Sequence, residues 1–160
     1  MIQIIDHKLL DEVSAEARNN LRRRKNRNFH TGDDAPANRL LNAIEPGSYI
    51  APHRHLDPAK DETLVVLRGR FGVVLFDDAG NVAQAQVIEA GGAACGIDIP
   101  HGTWHSVLSL APDSVFFEAK AGPYLPFASE EKASWAPAEN DAGAKEYLYR
   151  LQQLFPAVTS

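Results

Sequence analysis

The chain has 160 residues, 44% hydrophobic and 23% charged, which is the size and composition of one globular domain and excludes a largely disordered protein. Its net charge of −5 disfavours a polyanionic partner, so we expect no binding to nucleic acid. We also expect a cytoplasmic protein with no membrane partner: no apolar run approaches the about 18 residues of a membrane span, the N-terminus lacks the pattern of a signal peptide, and the single Cys95 suits a reducing compartment.

An amphipathic helix is predicted from about residue 7 to residue 24, with Asp6 as its N-cap. Apolar residues recur there at helical spacing, at Leu9, Leu10, Val13, Ala17 and Leu21. The helix would end in a basic run made of Arg22, Arg23, Arg24, Lys25 and Arg27. Such a run can contact phosphates, or it can be a solvated helix end whose cations complement the helix dipole. We favour the second interpretation because residues 41–160 carry eight basic against fifteen acidic residues.

The stretch between residues 39 and 120 is predicted to form about eight short strands with no helix between them. Each segment is apolar or alternating and lies beside a turn signal; the segments are RLLNAIE, SYIAPHRH, ETLVVLRG, FGVVLF, VAQAQVIE, GIDIP, TWHSVLSL and VFFEAK. Many short strands at this spacing favour an antiparallel barrel or jelly roll over a parallel sheet with crossover helices.

A second helix is predicted from about residue 141 to residue 154, where AGAKEYLYRLQQLF places its apolar residues on one stripe. We therefore divide the chain into a helix and loop at 1–38 that pack on the barrel, a β-barrel at 39–124, and a loop and helix at 125–160. All three parts are expected to form one structural domain.

Three histidines and one carboxylate form a candidate metal site. His53 and His55 are two residues apart, so on a strand their side chains leave the same face. Glu62 opens the next predicted strand, and a barrel can fold the strand of His105 back across the first pair. Imidazoles with one carboxylate suit one divalent transition metal, such as Fe, Mn, Ni or Zn, better than Ca²⁺, which prefers oxygen ligands.

Four further residues are candidate contacts to a small-molecule ligand. Arg39 begins the first barrel strand, and Lys120 and Tyr124 flank the end of the last one. Cations and a phenol near a metal suit an anionic or polyhydroxylated ligand, but Arg39 and Lys120 can equally pair with surface carboxylates. His30 lies in a loop that could fold over the barrel mouth, where it would support the site, or it is a plain surface residue.

Two motifs in order resemble those of the cupins. Gly47–x5–His53–x–His55–x6–Glu62–x6–Gly69 is similar to the first cupin motif, and Pro100–x–Gly102–x2–His105 is similar to the second. The resemblance covers about residues 39–124 and implies a single antiparallel cupin barrel with metal ligands at the motif histidines and glutamate. The gap between His55 and Glu62 is longer than usual, which leaves Asp61 as an alternative ligand.

More narrowly, RLLNAIEPGSYIAPHRHLDPAKDETLVVLRGRFGVVLFDDAG and FFEAKAGPYLP resemble the WbuC family of cupin-fold metalloproteins, named for bacterial polysaccharide gene clusters. The cupin resemblance implies a homodimer, and it bears on fold and metal site more than on the reaction. Our leading hypothesis is a metal-dependent enzyme, of the oxygenase or the isomerase and hydrolase type, acting on a small sugar-like or acidic metabolite. The alternative is a non-catalytic binding or sensor cupin, in which the metal is structural or captures the ligand. The residues that would be catalytic are left open.

Overall fold

The computed structural model describes residues 1–157, which form two antiparallel sheets that face each other, with one helix on each outer side. Helix α1 spans His7–Arg18 and helix α2 spans Ala144–Gln152. The strands described are β1 (Arg24–Asn28), β2 (Ala37–Ile44), β3 (Glu62–Arg68), β4 (Arg70–Phe76), β5 (Val82–Glu89), β6 (Gly96–Ile99), β7 (Trp104–Ser109) and β8 (Ser114–Ala121). Residues 158–160, the end of the predicted segment 125–160, lie outside the described residues.

The strand order is β1-β2-β8-β3-β6 in the larger sheet and β5-β4-β7 in the smaller one. All pairings are antiparallel, which confirms the predicted all-β antiparallel core with flanking helices. Within residues 1–157 the two sheets are separate ladders and do not close into one continuous barrel. None of the helices in that part of the chain is long and apolar enough to cross a bilayer.

Apolar side chains form three layers that follow the alternation of the strands. The central layer lies between the sheets and includes Leu64, Phe71, Val73, Ile88 and Phe116. Helix α1 packs on the outer face of the larger sheet, and helix α2 packs on the outer face of the smaller sheet. Because successive strand residues point to opposite faces, a strand such as β4 supplies Phe71 and Val73 to the interior and Val74 and Phe76 to the layer under α2.

The first helix is shorter than predicted, since it ends at Arg18 and not near residue 24. Asn19 follows the helix, and both its backbone N–H and its side-chain amide donate to the carbonyl of Ala15, at 3.2 and 3.0 Å. The next backbone N–H, that of Asn20, donates to Ala17 three residues back, so the i→i−4 ladder ends there. Leu21, predicted on the buried stripe, is fully exposed. The basic run is therefore not a helix end, because Arg24–Asn28 instead forms edge strand β1 along β2.

The prediction of a strand at SYIAPHRH is also wrong, since residues 48–52 and 54–60 form no strand. Pro52 lacks an N–H and interrupts the ladder there, and only His53 makes isolated bridges, to His105 and to Lys132. Seven strands, not eight, therefore lie between residues 37 and 121. The second helix begins at Ala144, three residues later than expected.

Gly69 makes the one-residue connection between β3 and β4 and is expected to be intolerant of a side chain. Its φ is +77°, and a Cβ there would lie 2.8 Å from Cα of Ser114. We expect Gly69→Ala to lower the free energy of unfolding by about 3 kcal/mol, because the left-handed backbone and the close approach both oppose it. Gly91→Ala is the matched control, with φ +72° and nothing within 4 Å of a Cβ, and should cost about 1 kcal/mol. Equal losses in urea unfolding would contradict the steric part of this expectation.

Candidate metal centre

Three histidines converge between the two sheets. His105 comes from β7 in the smaller sheet, and His53 and His55 come from the irregular connection between β2 and β3. One ring nitrogen of each lies within 4.8 Å of the corresponding atoms of the other two. Since the backbone of His53 pairs with that of His105 at 2.9 and 3.0 Å, the two rings are held side by side even though the first lies outside a regular strand.

Backbone carbonyls orient two of the rings. The Nδ1 atom of His53 lies 3.0 Å from the carbonyl of Ala51, and that of His105 lies 2.9 Å from the carbonyl of Thr103. A carbonyl can only accept, so each Nδ1 carries the proton and each Nε2 presents a lone pair. The Nε2 atom of His105 is buried and has no hydrogen-bond partner among residues 1–157.

The protonation of these rings suits a cation. Burial, reinforced by the neighbouring His105, lowers the pKa of His53 to about 3. Burial also lowers the pKa of His105 below its ordinary value, against the opposing attraction of Glu62. Both imidazoles are therefore neutral at neutral pH, the form that binds metals. A buried, unpartnered nitrogen beside two other imidazoles fits a divalent transition metal.

Glu62, and not its rival Asp61, lies at the histidine cluster. Glu62 is buried, with Oε2 2.8 Å from Nε2 of His55 and Oε1 3.8 Å from Nε2 of His105. Asp61 is exposed and accepts hydrogen bonds from the backbone N–H and the Nδ1 of His101, at 2.8 and 2.7 Å. The long gap after His55 is taken up by a turn, and β3 begins in the phase that points Glu62 inward.

Lys120 binds two carboxylates beside the cluster, that of the buried Glu62 and that of the partly buried Glu118. Its Nζ lies 3.2 Å from Oε2 of Glu62 and 2.9 Å from Oε1 of Glu118. Asn42 donates to the other oxygen of Glu118 at 2.7 Å. Sequence reasoning missed Glu118 and Asn42, although the two-residue spacing of Glu118 and Lys120 on one strand already places them on one face.

Burial and neighbouring charges shift the pKa values of the two carboxylates in opposite directions. Burial would raise the pKa of Glu62, but the hydrogen bond with His55 and the charge of Lys120 outweigh it and hold that pKa below its usual range. Burial and the negative charge of Glu62 raise the pKa of Glu118, with Lys120 opposing. Although burial alone would lower the pKa of Lys120, the two carboxylates raise it, so the ammonium stays charged.

An inner cavity of about 150 Å³ lies at the cluster, with a polar lining that includes Arg24, His53, Glu62, His105, Glu118 and Lys120. An outer cavity of about 350 Å³ adjoins it, because Asn26, Glu118 and Lys120 line both. His30 and Tyr124 line the outer cavity, so three of the four predicted ligand contacts meet there.

Arg39, the fourth predicted contact, lies apart from these cavities. It is exposed on the opposite face of β2, near Phe29 and Phe117. The preceding residue, Asn38, lines the outer cavity instead. Side chains alternate between the two faces of the strand, and Asn38 occupies the face that was expected for Arg39.

Phe127 covers the histidines and was not anticipated from the sequence. Its ring centroid lies 4.6 Å from that of His53 and 5.4 Å from that of His55. It comes from the loop after β8 and is partly exposed, so it separates two of the imidazoles from solvent. Nothing in its sequence neighbourhood, which reads as a proline-containing loop, indicates this contact.

Comparison with known proteins gives a family and a fold. The family model for a domain of unknown function, DUF6016, matches residues 5–88. No curated protein matches the chain. A conserved protein of unknown function from Streptococcus pyogenes superposes with a TM-score of 0.52 at 10% identity, covering 78% of this chain and 91% of its own, which shows a shared fold.

Two other solved structures have lower scores. KdgF from a Halomonas species has a TM-score of 0.49 at 19% identity, covering 61% of this chain and 79% of its own. A cupin superfamily protein from Desulfitobacterium hafniense has a TM-score of 0.48 at 10% identity, covering 61% and 76%.

Proposed function

The chain belongs to the DUF6016 family, and we propose that it is a metal-dependent cupin enzyme acting on a small sugar-like or acidic metabolite. The observation that carries the proposal is the convergence of His53, His55 and His105, with a buried and unpartnered Nε2 on His105. These three side chains would hold the metal, and Glu62 is placed to serve as a fourth ligand. When bound, a divalent transition metal would polarise a substrate oxygen or, as iron, support oxygenase chemistry.

The neighbouring residues of the chain have roles of their own in this proposal. Lys120 is a fixed positive charge that can orient an oxygen of the substrate. Glu118, with its raised pKa, is suited to hold or release a proton close to that oxygen. Phe127 limits the access of water to His53 and His55.

A second candidate is a binding or sensor cupin in which the metal is structural or captures the ligand. The size of the inner cavity favours it, since about 150 Å³ is below the roughly 300–1,000 Å³ of most small-molecule sites. If the metal is purely structural, the ligand would stay in the outer cavity, and no group on it would reach the histidines.

Metal analysis followed by turnover measurements tests both candidates. We expect the purified protein to contain about one divalent transition metal per chain, which chelation removes and reloading restores. Protein loaded separately with Fe, Mn, Ni or Zn is then assayed, with and without oxygen, on nucleotide sugars and keto acids. Turnover that depends on the metal supports the enzyme, and saturable binding without turnover supports the sensor. The absence of metal, with no effect of chelation on folding or activity, would overturn the metal site itself.

The narrower assignment to the WbuC family, and with it a link to bacterial surface polysaccharide, rests on the resemblance of the sequence stretches quoted above. A homodimer and a cytoplasmic location also stay predictions. The pairing of the basic run supports the expected absence of a nucleic-acid partner: Arg22 and Arg24 bind Glu139, while Lys25 and Arg27 lie at Glu16. Each of these four cations is paired with a carboxylate of the same chain, although Glu139 and Glu16 are each shared by two of them, and this pairing weakens their attraction for phosphates.

A further inference from the structure

The outer cavity is walled by amides from two neighbouring strands. Asn26 and Asn28 lie two residues apart on β1, and Asn38 lies on β2. Asn28 pairs with Leu40, which is two residues from Asn38, so all these side chains leave the same face of the sheet. A row of amides facing a cavity offers both donors and acceptors.

Asn38 carries an unmet hydrogen-bonding group. The residue is 4% exposed, and its Oδ1 is buried with no partner among the residues described. A buried amide oxygen without a partner is costly, and such groups are rare in native proteins. Since Asn38 lines the outer cavity, a half-turn of its side-chain amide would present this oxygen to a donor on a ligand there.

The charges around the cavity disfavour an anionic ligand. Lys120 is already matched by Glu62 and Glu118, at 3.2 and 2.9 Å. The other charged lining residue, Asp33, adds a further carboxylate. A second anion would meet repulsion there, whereas a hydroxyl group can donate to the carboxylates and to an amide oxygen and accept from an amide N–H.

We propose that the outer cavity binds a neutral polyhydroxylated molecule, such as a hexose or a hexitol, through Asn26, Asn28 and Asn38. The inference rests on the proposed function, because it names the substrate class of the same site. A volume of about 350 Å³ lies within the usual range of about 300–1,000 Å³ for small-molecule sites. The ring of Tyr124 lines the cavity and offers an amphipathic surface to the C–H face of such a ligand.

The test uses the side-chain amide signals of the full chain in two-dimensional ¹H–¹⁵N NMR. Glucose, galactose, mannose and mannitol are titrated into zinc-loaded and metal-free protein, with glucuronate as the charged counterpart of glucose. We expect at least one neutral probe to cause saturable shifts of the Asn26, Asn28 and Asn38 amides, and we expect glucuronate to bind at least about tenfold more weakly than glucose or not at all. If no neutral probe shifts these signals, or if glucuronate binds as tightly as the best of them, the inference is overturned.

A substitution separates ligand binding from a structural role of Asn38. Asn38→Leu removes the unpaired oxygen, so it should fold with unchanged or higher stability and bind the neutral probe at least about tenfold more weakly. The matched control is Gln84→Leu, an exposed amide on β5, which should leave binding unchanged. Unchanged binding by Asn38→Leu would overturn the inference. Metal content is measured on the same samples: metal without sugar binding refutes only this inference, and sugar binding without metal refutes only the proposed metal function.

Discussion

Replacement of His105 by leucine should remove most of the stabilisation of the protein by metal while leaving the metal-free protein folded. His105 is 1% exposed, its Nδ1 donates to the carbonyl of Thr103, and its Nε2 has no partner within residues 1–157. Leucine loses one hydrogen bond, worth about 1 kcal/mol, but it also removes a buried nitrogen that costs about as much or more. The two effects offset each other, so we expect the metal-free stability to change by less than about 1 kcal/mol.

With metal the two proteins should differ greatly. A metal present at about 1,000 times its dissociation constant stabilises the folded state by about 4 kcal/mol. Loss of one of three imidazole ligands should weaken metal binding at least about 100-fold, which removes most of that stabilisation. Thermal unfolding with and without added zinc, compared with calorimetric titration of the metal, measures both quantities.

His101→Leu is the matched control for this experiment. His101 lies in the same motif turn, but it is exposed and its Nδ1 contacts Asp61 outside the cluster. It should keep full metal binding. Retention of metal by His105→Leu, or an equal loss in His101→Leu, would show that the three-histidine cluster is not the metal site.

The histidines that carry this prediction could be identified from the sequence because their positions follow a motif. His53, His55 and His105 occur in cupin order, and the fold implied by that order brings them together. The reason given for the first pair was nevertheless incomplete. Their segment is not a strand, and the ring of His53 is held by its bridge to His105 and by the carbonyl of Ala51. The two-residue spacing of His53 and His55 therefore identified the right residues, although they are not brought together by the geometry of a strand.

Strand β1 could not be predicted from local preference. Its sequence, RKNRN, contains no β-branched or aromatic residue, and it is a strand because β2 offers it an unpaired edge. That pairing depends on contacts distant in sequence, and it brings Asn26 and Asn28 to the outer cavity. Asn26 and Asn28, which form part of the polar wall of the outer cavity, therefore lie in and beside the basic run that was interpreted as a charged helix end.

Which residues of β2 and β8 face the site depends on the phase of the side-chain alternation in each strand. Arg39 attracted attention as a cation, but a shift of one residue exchanges the two faces of a strand, and Asn38 faces the cavity instead. Glu118 was not singled out from the sequence, because its partial burial depends on the sheets that enclose it. Charge and residue type identify candidates, whereas only the assembled sheets determine which of them are buried.

Removal of the partly buried ammonium of Lys120 should destabilise the metal-free protein strongly. Lys120→Met would leave Glu62 and Glu118 close together without a counter-charge. Breaking a buried ion pair from one side typically costs about 3–5 kcal/mol, and we expect a loss of that size in urea unfolding with a chelator present. The pair Lys120→Met and Glu118→Gln should recover much of it, because only one carboxylate then remains.

The loss should increase with pH. Lys120 opposes the burial that raises the pKa of Glu118, so without the ammonium this pKa rises further above its unfolded value. A carboxyl whose folded pKa is raised contributes its full stability at low pH and loses it as the pH rises through the folded pKa. The free energy of unfolding of Lys120→Met should therefore be closest to that of the wild type near pH 5 and should fall further below it as the pH rises towards 8.

Lys60→Met is the control for the loss of a buried lysine as such. Lys60 is buried, but its Nζ donates to the carbonyl of Pro123 at 2.7 Å and leaves no carboxylate behind. Its replacement should cost only about 1–3 kcal/mol, with no added pH dependence. If the two variants lose the same stability at every pH, the carboxylates at the cluster do not depend on Lys120. A pH-dependent loss confined to Lys120→Met, relieved by Glu118→Gln, would establish that the ammonium holds two negative charges beside the histidines.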